Sequence, residues 1–378
     1  MSAPKSPPMS APVSSPDSAS PETPASAPAG SRAVGWASCR EAVAALYPGY
    51  FALVMATGII ANAMFFEGPR VISDALMALN IAAYALLLAM TLLRLACFPR
   101  RVWADLTEPK LVFAFFTLVA ATDVLGVGFA LRGHGGIALA LWLGALALWF
   151  ALTYLGFATL IVFNTAARAD IIFGGWLIAI VATEAVALHG IVVAPQMGAL
   201  APLVMLFAHM LWGVGVVLYA IFIVLFAQRI FFSEVRPQDL TPLLWVVMGA
   251  AAISTNAGAL LSLSDPGLPF LAAMRPFVDG VTLVMWAWAT WWIPLLIAFG
   301  VWTHGLHRVP LTYTPLFWGL VFPLGMYALA SLRLSHATNV APLAAVSGAM
   351  VWIALAAWLV TATGFAVTRW RLMRLRAA

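Results

Sequence analysis

The feature that most constrains this chain is a succession of apolar runs, each long enough to cross a lipid bilayer. A transmembrane helix needs about 20 consecutive, mostly apolar residues. Of the 378 residues, 63% are hydrophobic and only 9% are charged, whereas a soluble domain has about 25% charged residues. The sequence therefore predicts an all-α polytopic membrane protein.

Ten such runs can be counted along the chain. The even-numbered runs are longer than the odd-numbered ones, which predicts that the even helices tilt or extend past the lipid. Because the connecting loops are short, successive helices are predicted to pair as five hairpins. The ten runs are Tyr47–Phe66, Val71–Phe98, Leu111–Ala130, Ile137–Phe163, Ile171–Val193, Leu200–Phe232, Leu243–Leu263, Phe277–Trp302, Tyr313–Leu334 and Pro342–Thr368.

Lysine and arginine residues near the span ends predict the orientation. With the N-terminus inside, fifteen of the nineteen basic residues fall on the inner side. The other four are Arg70, Arg132, Arg275 and Arg333. Cytoplasmic loops carry such an excess, so both termini are predicted to be cytoplasmic, in a plasma (inner) membrane. The net charge of +5 is explained by this topology and does not indicate nucleic-acid binding.

Composition divides the chain into three segments. Residues 1–38 are rich in Ser, Pro and Ala and predict a disordered cytoplasmic tail. Residues 39–370 form the predicted ten-helix transport domain, and 371–378 a basic cytoplasmic C-terminal tail. The two cysteines, Cys39 and Cys97, form neither a disulfide framework nor a zinc motif. No metal and no cofactor is predicted.

Polar side chains inside the predicted membrane region are concentrated in the odd-numbered helices. They include Thr57 and Asn62 in the first helix, Asp123 in the third, Glu184 in the fifth and Asn256 in the seventh. Polar groups in a membrane are costly and face a cavity or a partner. We therefore expect the odd helices to form an inner ring around a central pore, with the even helices facing lipid.

The ninth run contains a proline in its interior, where the chain loses a hydrogen bond and kinks. Such a break is tolerated in a membrane only where protein or water satisfies the backbone. Phe322 precedes Pro323 and shares one helix face with Met326, Leu329 and Arg333, by the i, i+4, i+7, i+11 spacing. The sequence predicts that this face lines the pore and that Phe322 forms its constriction.

Other interpretations of the same residues remain open. Asn62 and Asn256 are also typical of hydrogen bonds between membrane helices. Asp123 and Glu184 indicate a specific role more strongly than the asparagines do, because a lone ionised carboxylate in lipid is unfavourable. They are expected either to pair with Arg333 or to line a route for protons.

Several stretches resemble one known family in the same order along the chain. They are YPGYFALVMATGI in the first helix, GGWLIAIVATEAVALHG in the fifth, LLWVVMGAAAIS in the seventh, PLLIAFGVWTHG in the eighth and FWGLVFPLGMYALASLRL in the ninth. These stretches are similar to the tellurite-resistance/dicarboxylate transporter family. It includes bacterial TehA, fungal malate and sulfite transporters, and plant slow anion channels.

The resemblance implies ten helices as five hairpins, in a quasi-fivefold arrangement whose odd helices line a pore. It also implies a homotrimer with one pore per protomer, and a phenylalanine of the ninth helix that plugs the pore. Phe322 falls at that position. The family has proline kinks in several inner helices, whereas only Pro323 is clearly mid-helix in an inner span here.

The favoured hypothesis is a pore for small inorganic anions, C4-dicarboxylates, tellurite or sulfite, in which Arg333 provides anion preference and Phe322 the gate. The alternative is a proton-coupled carrier for C4-dicarboxylates such as malate, in which Asp123 and Glu184 carry the proton. A current without a pH gradient would favour the channel.

A membrane enzyme or haem-bearing respiratory subunit is the most distant alternative. Haem ligands would have to be facing histidines near mid-membrane. Only His209 lies well inside a span, and His189 is near an outer end. Because the sequence also lacks a paired nucleophile and base, it does not predict an enzyme.

Overall fold

The computed structural model describes residues 40–162, 174–232 and 234–377. The predicted tail, residues 1–38, and the predicted inner loop around Arg168 lie outside these ranges. Within them the chain forms helices and no strand. Several of these helices are apolar and long enough to cross a membrane, so the prediction of an all-α polytopic membrane protein is confirmed.

Ten long helices, numbered here in chain order, account for most of the described residues. Pro99–Leu106 forms an additional short helix that the sequence did not predict. The long helices are α1 Ala52–Glu67, α2 Arg70–Cys97, α3 Phe116–Leu131, α4 Gly135–Val162, α5 Leu177–Val193, α6 Ala201–Phe232, α7 Val246–Leu263, α8 Pro269–Gly300, α9 Trp318–Thr338 and α10 Ala341–Ala377.

The number of membrane passes depends on how the stretch Leu177–Phe232 is counted. The described ranges contain nine uninterrupted apolar helical stretches of spanning length, and this one has 56 residues. It bends at Gly198, whose φ of 52° is accessible mainly to glycine. Helices α5 and α6 on either side of the bend pack against each other. Counted as two passes the stretch gives ten spans, and that total stays a prediction.

The helix contacts follow a regular order. Each odd helix packs against the even helix that follows it. In addition, α1 contacts α3, α3 contacts α5, α5 contacts α7, α7 contacts α9, and α9 contacts α1. We call these five odd helices the helix ring.

Burial separates the two sets of helices. In four of the five odd spans, between 72% and 89% of the most apolar window is buried inside the protein, compared with 17–28% in α2, α4, α8 and α10. The fifth odd helix, α5, is buried along nearly its whole length. The helix ring therefore forms the core, and the even helices present their apolar side chains outward.

Each helix of the ring begins in the same way, with a short 3₁₀ turn that leads directly into the α-helix. In three of these turns a proline occupies the first position: Pro48, Pro242 and Pro315. Proline suits this position because its fixed φ matches the helix and its missing N–H has no partner there. The other two turns are Val112–Phe115 and Gly174–Trp176.

Two predicted boundaries differ from the structure by eight residues or more. Helix α8 begins at Pro269 and not at Phe277, and its first turns carry exposed Arg275. Helix α10 continues to Ala377 and not to Thr368, so the predicted tail from residue 371 onward is helical as far as the chain is described. Both differences have one cause: hydropathy marks where a helix leaves the hydrocarbon, and these helices continue into the polar region beyond it.

Close approach to α9 depends on two glycines. A Cβ built on Gly249 of α7 would lie 2.7 Å from the ring of Pro323, and one built on Gly325 would lie 2.8 Å from Ile59 of α1. Small residues let membrane helices pack closely in this way. The proline of α9 is therefore seated against α7, and the opposite side of the same helix against α1.

We predict that Gly249→Ala destabilises the protein, because the added methyl group overlaps the Pro323 ring. Overpacking of this kind costs about 1–3 kcal/mol. The control is Gly144→Ala on the exposed side of α4, where a Cβ meets nothing within 4 Å. The apparent melting temperature in detergent should fall for Gly249→Ala only. Equal melting temperatures for the two variants would contradict this packing.

Candidate functional site

A small cavity lies where the five helices of the ring meet. Its volume is about 20 Å³, which is room for roughly one water molecule. Every helix of the ring contributes to its wall, whereas no even helix does. The lining residues are Ile59, Asn62, Asp123, Val124, Val127, Ala185, Leu188, Ile253, Asn256, Met326 and Leu329.

Helix α9 directs one face toward this cavity. Met326 and Leu329 line it, and Phe322 lies one turn earlier on the same face, since residues i and i+4 of a helix are neighbours. Pro323 is turned by about 100° from that face and packs on Gly249 of α7. The Phe322 side chain is almost completely buried, with 2% exposure. The phenyl group is therefore enclosed by protein, one turn before the cavity-lining Met326.

Arg333 lies on the same face of α9, toward its C-terminal end, and is 8% exposed. Its Nη1 donates a hydrogen bond to Oδ1 of Asn256 over 3.0 Å, and Asn256 Nδ2 contacts the sulfur of Met326 at 3.2 Å. The predicted ion pair of Arg333 with Asp123 or Glu184 is wrong, because neither carboxylate forms a salt bridge with it. Each acid instead has a closer partner on an adjacent helix.

Asp123 is paired with a histidine. Its Oδ1 lies 2.9 Å from Nδ1 of His189 on α5, and both side chains are buried. Gly126 makes room for the imidazole, since a Cβ there would lie 2.1 Å from His189 Cε1. The pair joins α3 to α5, and Asp123 also lines the cavity. Sequence reasoning missed this role of His189. The available signal was a histidine in a helix that is otherwise apolar except for Thr183 and Glu184.

Glu184 faces away from the cavity. Its Oε1 accepts a hydrogen bond from Ser254 Oγ of α7 over 2.8 Å. The carboxyl group also packs beside Gly215 of α6, where a Cβ would lie 2.4 Å from Oε1. Glu184 thus joins α5, α6 and α7 behind the cavity wall, and it is not among the lining residues.

Of the remaining predicted residues, one lines the cavity and one faces away from it. Thr57 accepts a hydrogen bond from Trp358 Nε1 of α10 over 2.9 Å, so it points outward from the ring. Asn62 lines the cavity and donates from Nδ2 to the carbonyl oxygen of Val124 over 3.0 Å. The structure therefore brings Asn62, Asp123, Asn256 and Met326 together at one cavity and places Thr57 and Glu184 elsewhere.

The described residues contain no group of three or more His, Cys, Asp or Glu side chains that could hold a metal ion. His209, the histidine predicted to lie deepest in a span, has its Nδ1 2.7 Å from the carbonyl oxygen of Met205 within its own helix.

Comparison with known proteins identifies the family. A family model described as SLAC1, voltage-dependent anion channel, matches residues 45–366. The chain belongs to this family. The match covers the whole helix ring and most of α10, which accounts for the resemblance of the separate sequence stretches.

Individual relatives agree with this assignment. An uncharacterized transporter of Methanocaldococcus jannaschii is 24% identical over 329 residues, covering 83% of this chain and 90% of the relative. A sulfite efflux pump of Arthroderma benhamiae is 26% identical over 322 residues, covering 79% and 84%. An uncharacterized membrane protein of Mycobacterium tuberculosis is 40% identical over 138 residues, covering 36% and 69%.

The family and the names of these relatives support anion transport by a multi-pass membrane protein. They point to transporters or channels rather than enzymes. A fold alone does not fix a function, so the substrate and the mechanism have to be argued from the cavity and its polar residues.

We predict that Arg333→Ala and Asn256→Ala are coupled in their effect on stability. Each single change should cost about 1–3 kcal/mol, because it leaves a buried polar group unpaired. The double variant should then lose less than the sum, which melting of the purified proteins can measure.

The matched control is Arg333→Ala combined with Glu184→Gln. Glu184 bonds to Ser254 and shares no hydrogen-bond partner with Arg333, so these two effects should add within about 0.5 kcal/mol. Coupling to Glu184 but not to Asn256 would contradict the observed geometry.

Proposed function

We propose that this protein is an anion channel whose pore follows the axis of the helix ring. The observation that carries the proposal is a cavity to which all five odd helices contribute, with polar side chains from α1, α3 and α7 in its wall. A path along their common axis requires the fewest rearrangements, because it starts from space that already exists.

Phe322 is the proposed gate. A phenyl ring in a narrow passage blocks it sterically and offers an ion nothing to replace its hydration water. Pro323 behind it removes one backbone hydrogen bond from α9, so the first half of the helix is less constrained by its own backbone. The gate opens, in this proposal, when the phenyl group swings off the axis without displacing Pro323 from Gly249.

Anion preference comes from Arg333. Its guanidinium is buried, and in the described part of the chain it has one hydrogen-bond partner, Asn256, and no carboxylate partner. Arginine carries five N–H donors in a planar fork that suits oxyanions, so donors remain for a permeant ion. Asp123 would repel an anion, and its pairing with His189 reduces that effect.

Several wider features belong to the same proposal. The substrates are small inorganic anions or C4-dicarboxylates, with tellurite and sulfite as oxyanions of the same kind; the relative named a sulfite efflux pump makes sulfite the first to test. The protein lies in the plasma (inner) membrane with cytoplasmic termini, including the tail 1–38. It forms a homotrimer of ten-helix protomers with quasi-fivefold symmetry.

A proton-coupled anion carrier is the second candidate, and the Asp123–His189 pair favours it. An acid and an imidazole 2.9 Å apart at the cavity wall can hold one exchangeable proton between them. Another titratable group near the pair is Tyr84 of α2, whose hydroxyl is hydrogen-bonded to Thr122. Glu184 was predicted to share this role, but it bonds to Ser254 outside the cavity.

The gate is tested by Phe322→Ala in proteoliposomes. Removing the ring should raise the flux of chloride, nitrate and sulfite by about tenfold or more, because a barrier of at least about 1.4 kcal/mol is lost. The readouts are anion flux and current at equal protein density.

Phe116→Ala provides the control. Phe116 is another fully buried phenylalanine of the helix ring, but it packs against Phe113 and α4. Its loss should cost about 3–5 kcal/mol of stability and leave flux unchanged. Folded Phe322→Ala protein with wild-type flux for all three anions would show that Phe322 is not the gate.

The second candidate is tested by Asp123→Asn with flux measured with and without a proton gradient. A carrier should show gradient-driven uptake in the wild type, and Asp123→Asn should abolish the dependence on the gradient. Glu184→Gln, the other buried acid, should keep it. Equal current with and without the gradient in all three proteins would leave the channel as the better description.

A further inference from the structure

A deep groove runs along the outside of the helix ring, between α2 and α10. Its volume is about 450 Å³. Its floor is formed by α1 and by the start of α9, so it reaches through the outer layer to the back of the ring. The wall is apolar, and includes Leu53, Ala83, Leu87, Trp318, Trp358 and Phe365.

The length of the groove along α10 matches the thickness of one membrane leaflet. Along α10 it extends from Trp358 to Arg369, which is eleven residues or about 16 Å at 1.5 Å per residue. Half of a bilayer's hydrocarbon core is about 15 Å. At the inner end, Thr57 and Trp358 are hydrogen-bonded to each other. The polar groups of these two side chains are therefore paired with each other at that end of the groove.

The other end of the groove opens beside an exposed arginine. Arg369 Nη2 donates to the hydroxyl of Tyr50 over 3.4 Å, and its guanidinium lies 5.4 Å from the Phe365 ring centroid. In the described residues it forms no salt bridge. Four of its five N–H donors are thus available for a ligand at the mouth of an apolar groove.

We propose that this groove binds one anionic phospholipid, with its phosphate at Arg369 and one acyl chain extending to Trp358 and Thr57. Arginine binds phosphate through paired hydrogen bonds, and basic pockets between membrane helices bind anionic headgroups. Arg371 and Arg374 follow on the same helix end, exposed and without a salt bridge in the part of the chain described. Of these arginines, Arg369 lies at the mouth of the apolar groove, and its positive charge suits the phosphate of an anionic lipid.

The bound lipid would support the start of α9. Trp318, the first residue of α9, lines the groove, and its ring lies 6.3 Å from that of Trp358. Its Nε1 donates to the hydroxyl of Tyr313 over 3.0 Å. Phe322 is one turn further along the helix. The lipid site itself does not depend on the proposed channel function, since it is defined by binding alone.

Native mass spectrometry of the delipidated full chain in detergent tests the site directly. The probes are palmitoyl-oleoyl phosphatidylglycerol, phosphatidylcholine with the same acyl chains, and inorganic phosphate as competitor. Wild-type protein should retain one phosphatidylglycerol per chain. Arg369→Gln should weaken that binding by about tenfold or more, because a charge-assisted hydrogen bond is lost.

Two further variants distinguish binding of the lipid headgroup from binding of its acyl chain. Ala362→Trp fills the groove without changing any charge and should also abolish retention. Arg374→Gln removes a charge from the same helix end outside the groove, where the guanidinium lies over Trp370, and should bind within about twofold of wild type.

Several results would overturn the proposal. One is wild-type binding by Arg369→Gln. Another is phosphatidylcholine bound as tightly as phosphatidylglycerol. Displacement of the lipid by inorganic phosphate, with no effect of Ala362→Trp, would reveal a phosphate site without an acyl chain. A change of oligomeric mass in Ala362→Trp with unchanged lipid retention would assign the groove to a second copy of the chain.

Discussion

Hydrocarbon offers no hydrogen-bond partner to a polar side chain, and the arrangement of the helix ring depends on this constraint. At least one buried polar contact joins each of four successive pairs of odd helices. The fifth junction, between α9 and α1, is made by close apolar packing of Gly325 on Ile59. The four polar contacts are Asn62–Val124, Asp123–His189, Ser254–Glu184 and Arg333–Asn256.

This distribution makes the two halves of α9 different. The half that carries Arg333 is tied to α7 by a charged hydrogen bond. The turn that carries Phe322 contacts the neighbouring ring helices through apolar surfaces, with Pro323 on Gly249 and Gly325 on Ile59. The hydrogen bonds of Trp318 and Tyr327 in this half go to Tyr313 and Thr290, outside the helix ring. Rearranging apolar contacts leaves no unpaired polar group in the membrane, whereas breaking a buried hydrogen bond does. A phenylalanine gate at the Phe322 turn of α9 therefore requires less free energy to move than one at the Arg333 end, where a buried hydrogen bond would break.

The sequence was sufficient for features that depend on hydropathy and helical spacing. It identified the spans to within a few residues, except where α8 and α10 continue beyond the lipid. The spacing in α9 placed Met326 and Leu329 on one face, and both line the cavity. It could not tell which face of the other odd helices is inward, because these helices are apolar on all sides. Thr57 and Glu184 look like pore residues for this reason, although their partners are Trp358 and Ser254.

Partner choice was the other property that could not be predicted. Arg333 lies further out along its span than the two acids, but its long side chain can reach back toward them, so an ion pair was reasonable from the sequence. The structure instead pairs Asp123 with His189, which requires the packing of α3 on α5 and the space left by Gly126. Such a contact between residues far apart in the chain becomes visible only when the helices are placed in three dimensions.

The most direct test of the account is cysteine accessibility along α9, in a chain that carries Phe322→Ala and lacks Cys39 and Cys97. Cysteines at Met326 and Leu329 should react with an anionic thiol reagent, and the reaction should stop anion flux. A cysteine at Ala328, on another face of the same buried helix, should stay unmodified and leave flux intact. Equal reaction at all three positions, or full flux after modification of Met326→Cys, would contradict a pore along the axis of the helix ring.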